Sequence, residues 1–175
     1  NGNALAVDPS GTVHVLVGIH YYSNNKNLLY YRNHPKTGSW SEPEIIGENI
    51  SDFSLRADPI GNLYFLYNNR YRVRSAAGVW SGEMTDLEGS NFTFDSQGTL
   101  HIVYRESSHY SIIRYKTKKA DGSLSTSEIA NDFKMVNSNV STPTIAVTSD
   151  QRVHIVYSDI SKTFYHVREP GGRWH

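Results

Sequence analysis

Residues 4–17 read ALAVDPSGTVHVLV: an apolar run, a tight polar turn, and a second apolar run that carries a histidine. The same phrase returns as FSLRADPIGNLYFLY at 53–67, FTFDSQGTLHIVY at 92–104 and TIAVTSDQRVHIVY at 144–157. Short runs rich in Val, Ile, Phe and Tyr, bounded by Gly, Pro and Asp, are typical of β-strands joined by turns. The chain therefore contains four related β units.

Each unit continues with a tyrosine-rich third strand, and the segments after Trp40, Trp80 and Leu124 begin a fourth. A four-strand unit that recurs every 40 to 50 residues or so indicates a β-propeller blade. The sequence predicts an all-β propeller in a single domain, residues 1–175, made of four consecutive four-stranded blades. Their expected boundaries are about 3–50, 51–89, 90–140 and 141–175.

The last blade is expected to be incomplete. The chain reaches Trp174 and His175 where the outer strand of this blade should begin, and only residues 1–3 precede the first strand. An exposed strand edge or a bare blade face favours association. We therefore expect part of a larger ring, completed by further blades of a longer chain or by a second copy in a homo-oligomer. The alternative is a closed ring of four blades, one of which has three strands.

The turns between the first two strands carry their own signal. Residues 8–11, 58–61 and 95–98 begin with Asp, which can accept backbone N–H bonds, and end with Gly, which supplies a positive φ. Residues 148–151 lack the glycine, so an altered or strained turn is predicted there. These features favour structural aspartates over calcium ligands.

Histidine recurs at one position of the repeat, six residues after the start of the turn. The set is His14, His101 and His154, with Tyr64 in the second copy. One histidine per blade leaves the imidazoles too far apart for a metal ion that needs its ligands at about 2 Å. We predict a packing role for these histidines and no metal or other cofactor.

The amino-acid composition excludes some classes of binding partner. The 17 basic and 17 acidic residues give a formal net charge of zero, which indicates no nucleic-acid interface. Apolar runs are only strand-sized, so no membrane insertion is expected. Cysteine is absent, so disulfides play no part.

Candidate ligand residues lie in loops that share one side of a propeller, the loops that join strand two to three and strand four to the next blade. The set is His20, Tyr21, Tyr22, Arg70, Arg105, His109 and Tyr110. Aromatic rings can stack on sugar rings, while His and Arg can bond hydroxyls or carboxylates. This composition is typical of a carbohydrate site, although loop His and Tyr residues can also simply complete blade packing.

Two further patterns follow the repeat. Basic residues end the third strands (Arg32, Arg74, Lys116 and Arg168) and glutamates follow them (Glu42, Glu83 and Glu128). Cross-strand ion pairs are the expected arrangement, with an anionic-polymer track as the alternative. The N-x-S/T sequons at Asn49, Asn91 and Asn139 each precede a first strand, and glycosylation there would require a eukaryotic secretory route.

Residues 4–20, followed by Leu29-Tyr30-Tyr31-Arg32, resemble the BNR-repeat propeller families, which include sialidase-like and lectin-like propellers. The step Gly18-x-His20 is similar to one in ulvan-type polysaccharide lyase propellers. That resemblance implies that His20 transfers the proton, with a nearby Tyr and Arg assisting. A base beside a cationic group suits removal of the proton α to a uronate carboxylate.

Three functions follow as hypotheses. The leading one is a non-catalytic, carbohydrate-binding or interaction module whose partner is a glycan or a protein, so we expect no enzyme activity from this chain alone. The alternative is part of a polysaccharide lyase or other glycan-active enzyme. The third is a structural repeat domain of a surface assembly. A secreted or cell-surface location is expected.

Overall fold

The computed structural model describes residues 2–23, 25–50, 53–68, 70–85, 87, 91–106, 112–131 and 140–175. Within these residues the chain forms fourteen β-strands and no helix. The strands form four antiparallel sheets in chain order. They belong to two compact units, residues 1–87 and 88–175, each of which contains two sheets.

The first unit begins with a four-stranded meander. Its strands are β1 (Asn3–Val7), β2 (Val13–Tyr21), β3 (Lys26–His34) and β4 (Glu44–Glu48). The second sheet has three strands, β5 (Phe53–Ala57), β6 (Leu63–Tyr67) and β7 (Arg70–Arg74). Where a fourth strand was predicted, the described residues form two isolated bridges, Tyr71–Met84 and Arg74–Trp80.

The second unit repeats this plan. Its first sheet contains β8 (Asn91–Phe94), β9 (Leu100–Arg105), β10 (Ile113–Lys118) and a short β11 (Glu128–Ile129). Its second sheet contains β12 (Thr144–Val147), β13 (Val153–Ser158) and β14 (Thr163–Arg168), with an isolated bridge between Arg168 and Trp174. Each sheet corresponds to one predicted blade, so the predicted all-β blade architecture is confirmed.

A hydrophobic core joins the two sheets inside each unit. In the first unit it is built from Leu16, Leu29, Tyr31, Leu55, Leu63 and Phe65, all at most 2% exposed. In the second unit the matching core contains Val103, Ile113, Tyr115, Val153 and Ile155, also at most 2% exposed. These side chains alternate along their strands, because successive residues of a strand point to opposite faces. Their burial is the main force that packs one sheet on the next.

The turn between the first two strands has one hydrogen-bonding pattern in all four sheets. In the first sheet Gly11 N donates to Asp8 O at 2.9 Å, and in the fourth Gln151 N donates to Thr148 O at the same distance. The predicted glycines have positive φ values: Gly11 84°, Gly61 90° and Gly98 81°. Gln151 has φ 65°, so the fourth turn keeps the geometry at a conformational cost that glycine avoids.

A hydrogen-bonded Asp–His–Tyr chain ties this turn to the third strand. In the first sheet His14 Nδ1 lies 2.8 Å from the Tyr31 hydroxyl, and Nε2 lies 3.3 Å from Asp8 Oδ2. The third sheet repeats the arrangement, at 2.7 and 3.3 Å, with Asp95, His101 and Tyr115. A carboxylate only accepts, so Nε2 carries the proton and Nδ1 accepts from the phenol. Burial lowers the pKa of His14 and of His101, which keeps both rings neutral at pH 7.

The other two sheets keep only part of this Asp–His–Tyr hydrogen-bond arrangement. In the second sheet Tyr64 stands where the histidine would be and stacks on Tyr71, with ring centroids 6.3 Å apart. In the fourth sheet Thr148 replaces the aspartate; His154 Nδ1 still meets the Tyr165 hydroxyl at 2.6 Å, but its buried Nε2 has no partner among the described residues. The complete sets support the packing role predicted for the recurring histidines.

Candidate functional site

A groove of about 580 Å³ lies between the two sheets of the first unit. One wall is the end of β4, and the other is formed by the β6–β7 connection and the segment after Trp80. These segments include the two kinds of loop that the sequence predicted to face a ligand. The polar lining residues are Glu48, Tyr67, Asn68, Arg70, Arg72, Ser81 and Glu83.

Glu83 is the centre of the groove's hydrogen bonding. The Tyr67 hydroxyl donates to Oε1 at 2.6 Å, and Arg70 Nη1 donates to Oε2 at 2.7 Å. The hydrogen bond from Tyr67, followed by the one from Arg70, lowers the pKa of Glu83. Burial, followed by the bond to Glu83, raises the pKa of Tyr67 to about 12. At neutral pH the groove therefore presents an oriented carboxylate beside a guanidinium.

The two arginines of the groove have different roles. Arg72 donates through Nε to Ser81 O at 3.0 Å and through Nη1 to Ile46 O at 3.4 Å, and its Cζ lies 5.3 Å from the Trp80 ring centroid. These contacts fix Arg72 between the sheets. The Arg70 side chain is 55% exposed and donates one N–H to Glu83. Arg70 is therefore the cation that a ligand could reach.

The backbone shapes the wall formed by β4. A Cβ placed on Gly47 would lie 2.5 Å from Ile50 Cδ1, so a larger residue there would displace the end of the Ile50 side chain. Asn68 and Asn49 adopt the left-handed conformation, with φ 47° and 56°, which asparagine tolerates better than most residues. At the rim, Lys26 Nζ lies 3.1 Å from Glu48 Oε2, and both side chains are about half exposed.

Among the predicted ligand residues, His20 and Tyr22 are in contact, with ring centroids 4.6 Å apart in an edge-on geometry. His20 Nδ1 lies 2.8 Å from Asn27 Oδ1. Tyr22 is 89% exposed. Tyr21 lies on the opposite face of β2 from His20, since neighbouring strand residues alternate, and its hydroxyl bonds that of Tyr30 at 2.9 Å.

The remaining candidates are spread over both units. Arg70 lines the groove. Arg105 Nη1 donates to Val140 O at 2.8 Å, which ties β9 to the segment before β12. His109 and Tyr110 lie outside the described residues, as does the sequon at Asn139. The sequon residue Asn91 bonds Phe92 N through its side-chain oxygen.

Tyr67 and Glu83 were missing from the predicted site. Tyr67 belongs to an apolar run and reads as core, and it is indeed only 7% exposed. The hydrogen bonding at this register position differs between the two units. The matching residue of the second unit, Tyr157, bonds His166 Nε2 at 3.1 Å, and Phe164 stands where Arg70 does. The bridge Tyr71–Met84, which brings Glu83 beside β7, has no signal in the local sequence.

Among the described residues, the basic residues of the third strands do not form the expected ion pairs between neighbouring strands of one blade. Arg32 Nε donates to Ser41 O at 2.7 Å, and Lys116 lies 5.2 Å from the Tyr104 ring centroid. Arg168 does pair with Glu128, but the two residues belong to neighbouring sheets, β14 and β11. The sequence periodicity identified the charged positions and assigned them the wrong partners.

In the part of the chain that the structure describes, no three His, Asp or Glu side chains come together as ligands for a metal ion. The same residues contain no apolar helix of membrane-spanning length.

No family model matches this chain, and no curated protein does. Solved structures do. The β-propeller domain of the Trilobed protease from Pyrococcus furiosus, described as having an open velcro topology, matches with TM-score 0.59 and 12% identity over 98% of this chain and 54% of its own. A triple arginine-to-alanine mutant of AofleA from Arthrobotrys oligospora matches with TM-score 0.57 and 13% identity, over 99% of this chain and 55% of its own.

A third match is HIRA(644-1017), with TM-score 0.52 and 10% identity over 99% of this chain and 54% of that one. At these identities the likeness concerns the fold alone. The chain has a β-propeller fold and spans about half the length of the propellers that it matches.

Proposed function

We propose that this chain is a non-catalytic ligand-binding module of a β-propeller and that its ligand is a carbohydrate held in the groove of the first unit. The observation that carries the proposal is the Tyr67–Glu83–Arg70 hydrogen-bond chain on the groove wall. It fixes an acceptor and a donor side by side before any ligand arrives, which reduces the ordering cost of binding.

The groove's size and chemistry support a sugar. About 580 Å³ lies within the range of small-molecule sites. Each Glu83 oxygen has accepted one hydrogen bond and can accept another, while the rest of the Arg70 guanidinium can donate. Adjacent hydroxyls of a pyranose present alternating donors and acceptors, which this pair can satisfy together. Ile50, which is partly exposed, supplies apolar surface for the C–H face of the ring.

A glycan-array screen followed by calorimetry tests the proposal. Arg70→Ala and Glu83→Gln should each weaken binding by about tenfold or more, because each removes a charge-assisted hydrogen bond. Arg152→Ala is the matched control, since it breaks an exposed Arg–Glu pair at the turn of the fourth sheet. Silence of the folded chain across the array would reject carbohydrate binding and favour the structural repeat domain.

The second candidate, a contribution to a polysaccharide lyase, has support in the setting of His20. His20 Nδ1 donates a hydrogen bond to Asn27 Oδ1, so in the neutral ring Nε2 keeps a lone pair that could take a proton from a uronate. Incubation with anionic polysaccharides, followed by the ultraviolet absorbance of an unsaturated uronate, decides. We expect no absorbance growth; growth that His20→Ala abolishes would establish the lyase.

We further propose that another blade covers the outer face of the first sheet and that the protein acts outside the cell or on its surface. This face carries exposed apolar side chains on β1, β2 and β4. Its residues are Leu5, Val7, Val17, Ile19 and Ile45, each 37% to 59% exposed. The covering blade comes from a longer polypeptide or from a second copy. Light scattering of the isolated chain tests the second copy: a monomer at every concentration would contradict it.

A further inference from the structure

Equivalent positions of the two units differ in one partly buried polar cluster. In the second unit Glu128 receives three hydrogen bonds: Arg168 Nε to Oε2 at 2.9 Å, Arg168 Nη2 to Oε1 at 2.7 Å, and Trp174 Nε1 to Oε2 at 3.1 Å. The carboxylate is thus held bidentately by a guanidinium and singly by an indole. This is a complete carboxylate site, and its occupant is a residue of the chain.

The first unit has the same donors on the same scaffold. Arg74 Cζ lies 5.0 Å from the Tyr31 ring centroid, and Trp80 meets that ring edge-on at 5.5 Å. The matching distances of Arg168 and Trp174 to the Tyr115 ring are 5.3 and 5.5 Å. A bridge joins Arg74 to Trp80, as one joins Arg168 to Trp174.

The acceptor is what differs. Arg74 Nε and Trp80 Nε1 are buried and have no hydrogen-bond partner among the described residues. Glu44 pairs with Tyr31 as Glu128 pairs with Tyr115, so it is the register equivalent of Glu128. Glu44 is nevertheless exposed and bonds neither donor within the described chain. The β3–β4 register shifts between Leu29 and Tyr30, and a bulge of this kind re-aims nearby side chains.

We propose that Arg74 and Trp80 form a binding site for the carboxylate of an organic acid or sugar acid. A buried N–H without an acceptor is costly, and native proteins nearly always supply one. The second unit shows the acceptor that fits these donors. The Glu128 side chain is 34% exposed, so a carboxylate held by these donors in the second unit still faces solvent on one side. A ligand carboxylate would take the same position in the first unit. The site is separate from Arg70 and Glu83, so it stands or falls independently of the groove.

Indole N–H resonances of the three tryptophans provide the test. In a proton–nitrogen correlation spectrum, assigned with single Trp→Phe variants, titration with sodium acetate or sodium glucuronate should move the Trp80 resonance saturably. Trp174, whose N–H already donates to Glu128, should stay in place. So small a ligand should bind with a dissociation constant on the order of millimolar. Sodium chloride at equal ionic strength is the control.

Two variants sharpen the result. Arg74→Lys should weaken acetate binding by about tenfold or more, because an ammonium cannot make the bidentate contact. Glu44→Gln should not weaken it, because Glu44 bonds neither donor in the described part of the chain. A response to glucuronate alone would restrict the site to sugar acids. Absence of a saturable Trp80 shift, an equal shift with chloride, or a Trp80 resonance that Glu44→Gln moves without ligand would each overturn the proposal; the last would show that Glu44 fills the site.

Discussion

The two units have matching cores. They differ at both ends of the interface between the two sheets inside each unit. At the loop end, the first unit has the charged chain Tyr67–Glu83–Arg70, whereas the second has Tyr157 bonded to His166. At the other end the relation reverses. There the second unit satisfies its buried arginine and tryptophan with Glu128, and the first unit leaves their equivalents without an acceptor among the described residues.

Features common to both units form the scaffold, and features that differ between the units are candidates for binding. Apolar burial between the two sheets and the hydrogen bonds of the first turn in each sheet are common to both units. The charged residues at the interface ends vary without changing the packing around them. Binding residues therefore belong where one unit departs from the other, and substitutions at shared and unshared positions should behave differently.

Shared core positions should give the largest effects. Phe65 and Ile155 occupy the same register position and are 0% exposed. Phe65→Ala should destabilise by about 3 to 5 kcal/mol and Ile155→Ala by about 2 to 5, because each leaves a cavity. Urea unfolding measures both. Ile60→Ala, at a turn residue that is 78% exposed, is the control, with a change within about 0.5 kcal/mol. Insensitivity of one core position would show that the units are not built alike.

The unshared carboxylate should give the next largest difference. Glu128→Gln should cost about 1 to 2 kcal/mol, because it weakens three hydrogen bonds to partly buried donors. Glu44→Gln should change stability by less than about 0.5 kcal/mol, since Glu44 is exposed. Denaturant midpoints of the two variants check this. Equal losses would mean that Glu44 holds Arg74 as Glu128 holds Arg168.

Substitutions in two equivalent turns should change the stability in opposite directions. Gly98→Val should destabilise by about 1 kcal/mol or more, because a β-branched residue disfavours φ 81° even with no atom near its Cβ. Gln151→Gly should stabilise by roughly 0.5 kcal/mol, the relief of φ 65° being offset in part by chain entropy. Thermal melting decides, and a destabilising Gln151→Gly would show that the glutamine turn carries no strain.

The buried histidines should give a small pH dependence. Burial holds the folded-state pKa of His14 and His101 below the ordinary 6.5, so the unfolded chain binds protons more readily. Stability is then full above pH 6.5 and falls as the pH drops between the unfolded and folded values. Burial raises the pKa of Asp8 and Asp95, but hydrogen bonds outweigh it and lower the net value, which adds a loss only below about pH 3.8. Urea midpoints at pH 7.5 and 5.5 should differ less in His101→Gln.

Most of the fold could be predicted from local sequence. The last turn position has a positive φ, which favours glycine. Alternating apolar runs indicate strands, and their fourfold recurrence indicates blades. Part of the candidate site could not be predicted, because its residues meet across sheets. Arg70 was found as a loop cation, yet its partner Glu83 and the bonded Tyr67 become neighbours only when the segment after Trp80 folds beside β7.

By itself the sequence determined the β-propeller repeat, the four turns and the structural role of His14 and His101, because these depend on φ preferences and strand periodicity within one blade. Only the tertiary structure decided which charges pair. Arg168 meets Glu128 from another sheet, while Arg74 meets no acceptor among the described residues. The reason is physical: side-chain partners between sheets are set by packing and by a bulge in β4, and neither is written in the spacing of residues along one strand.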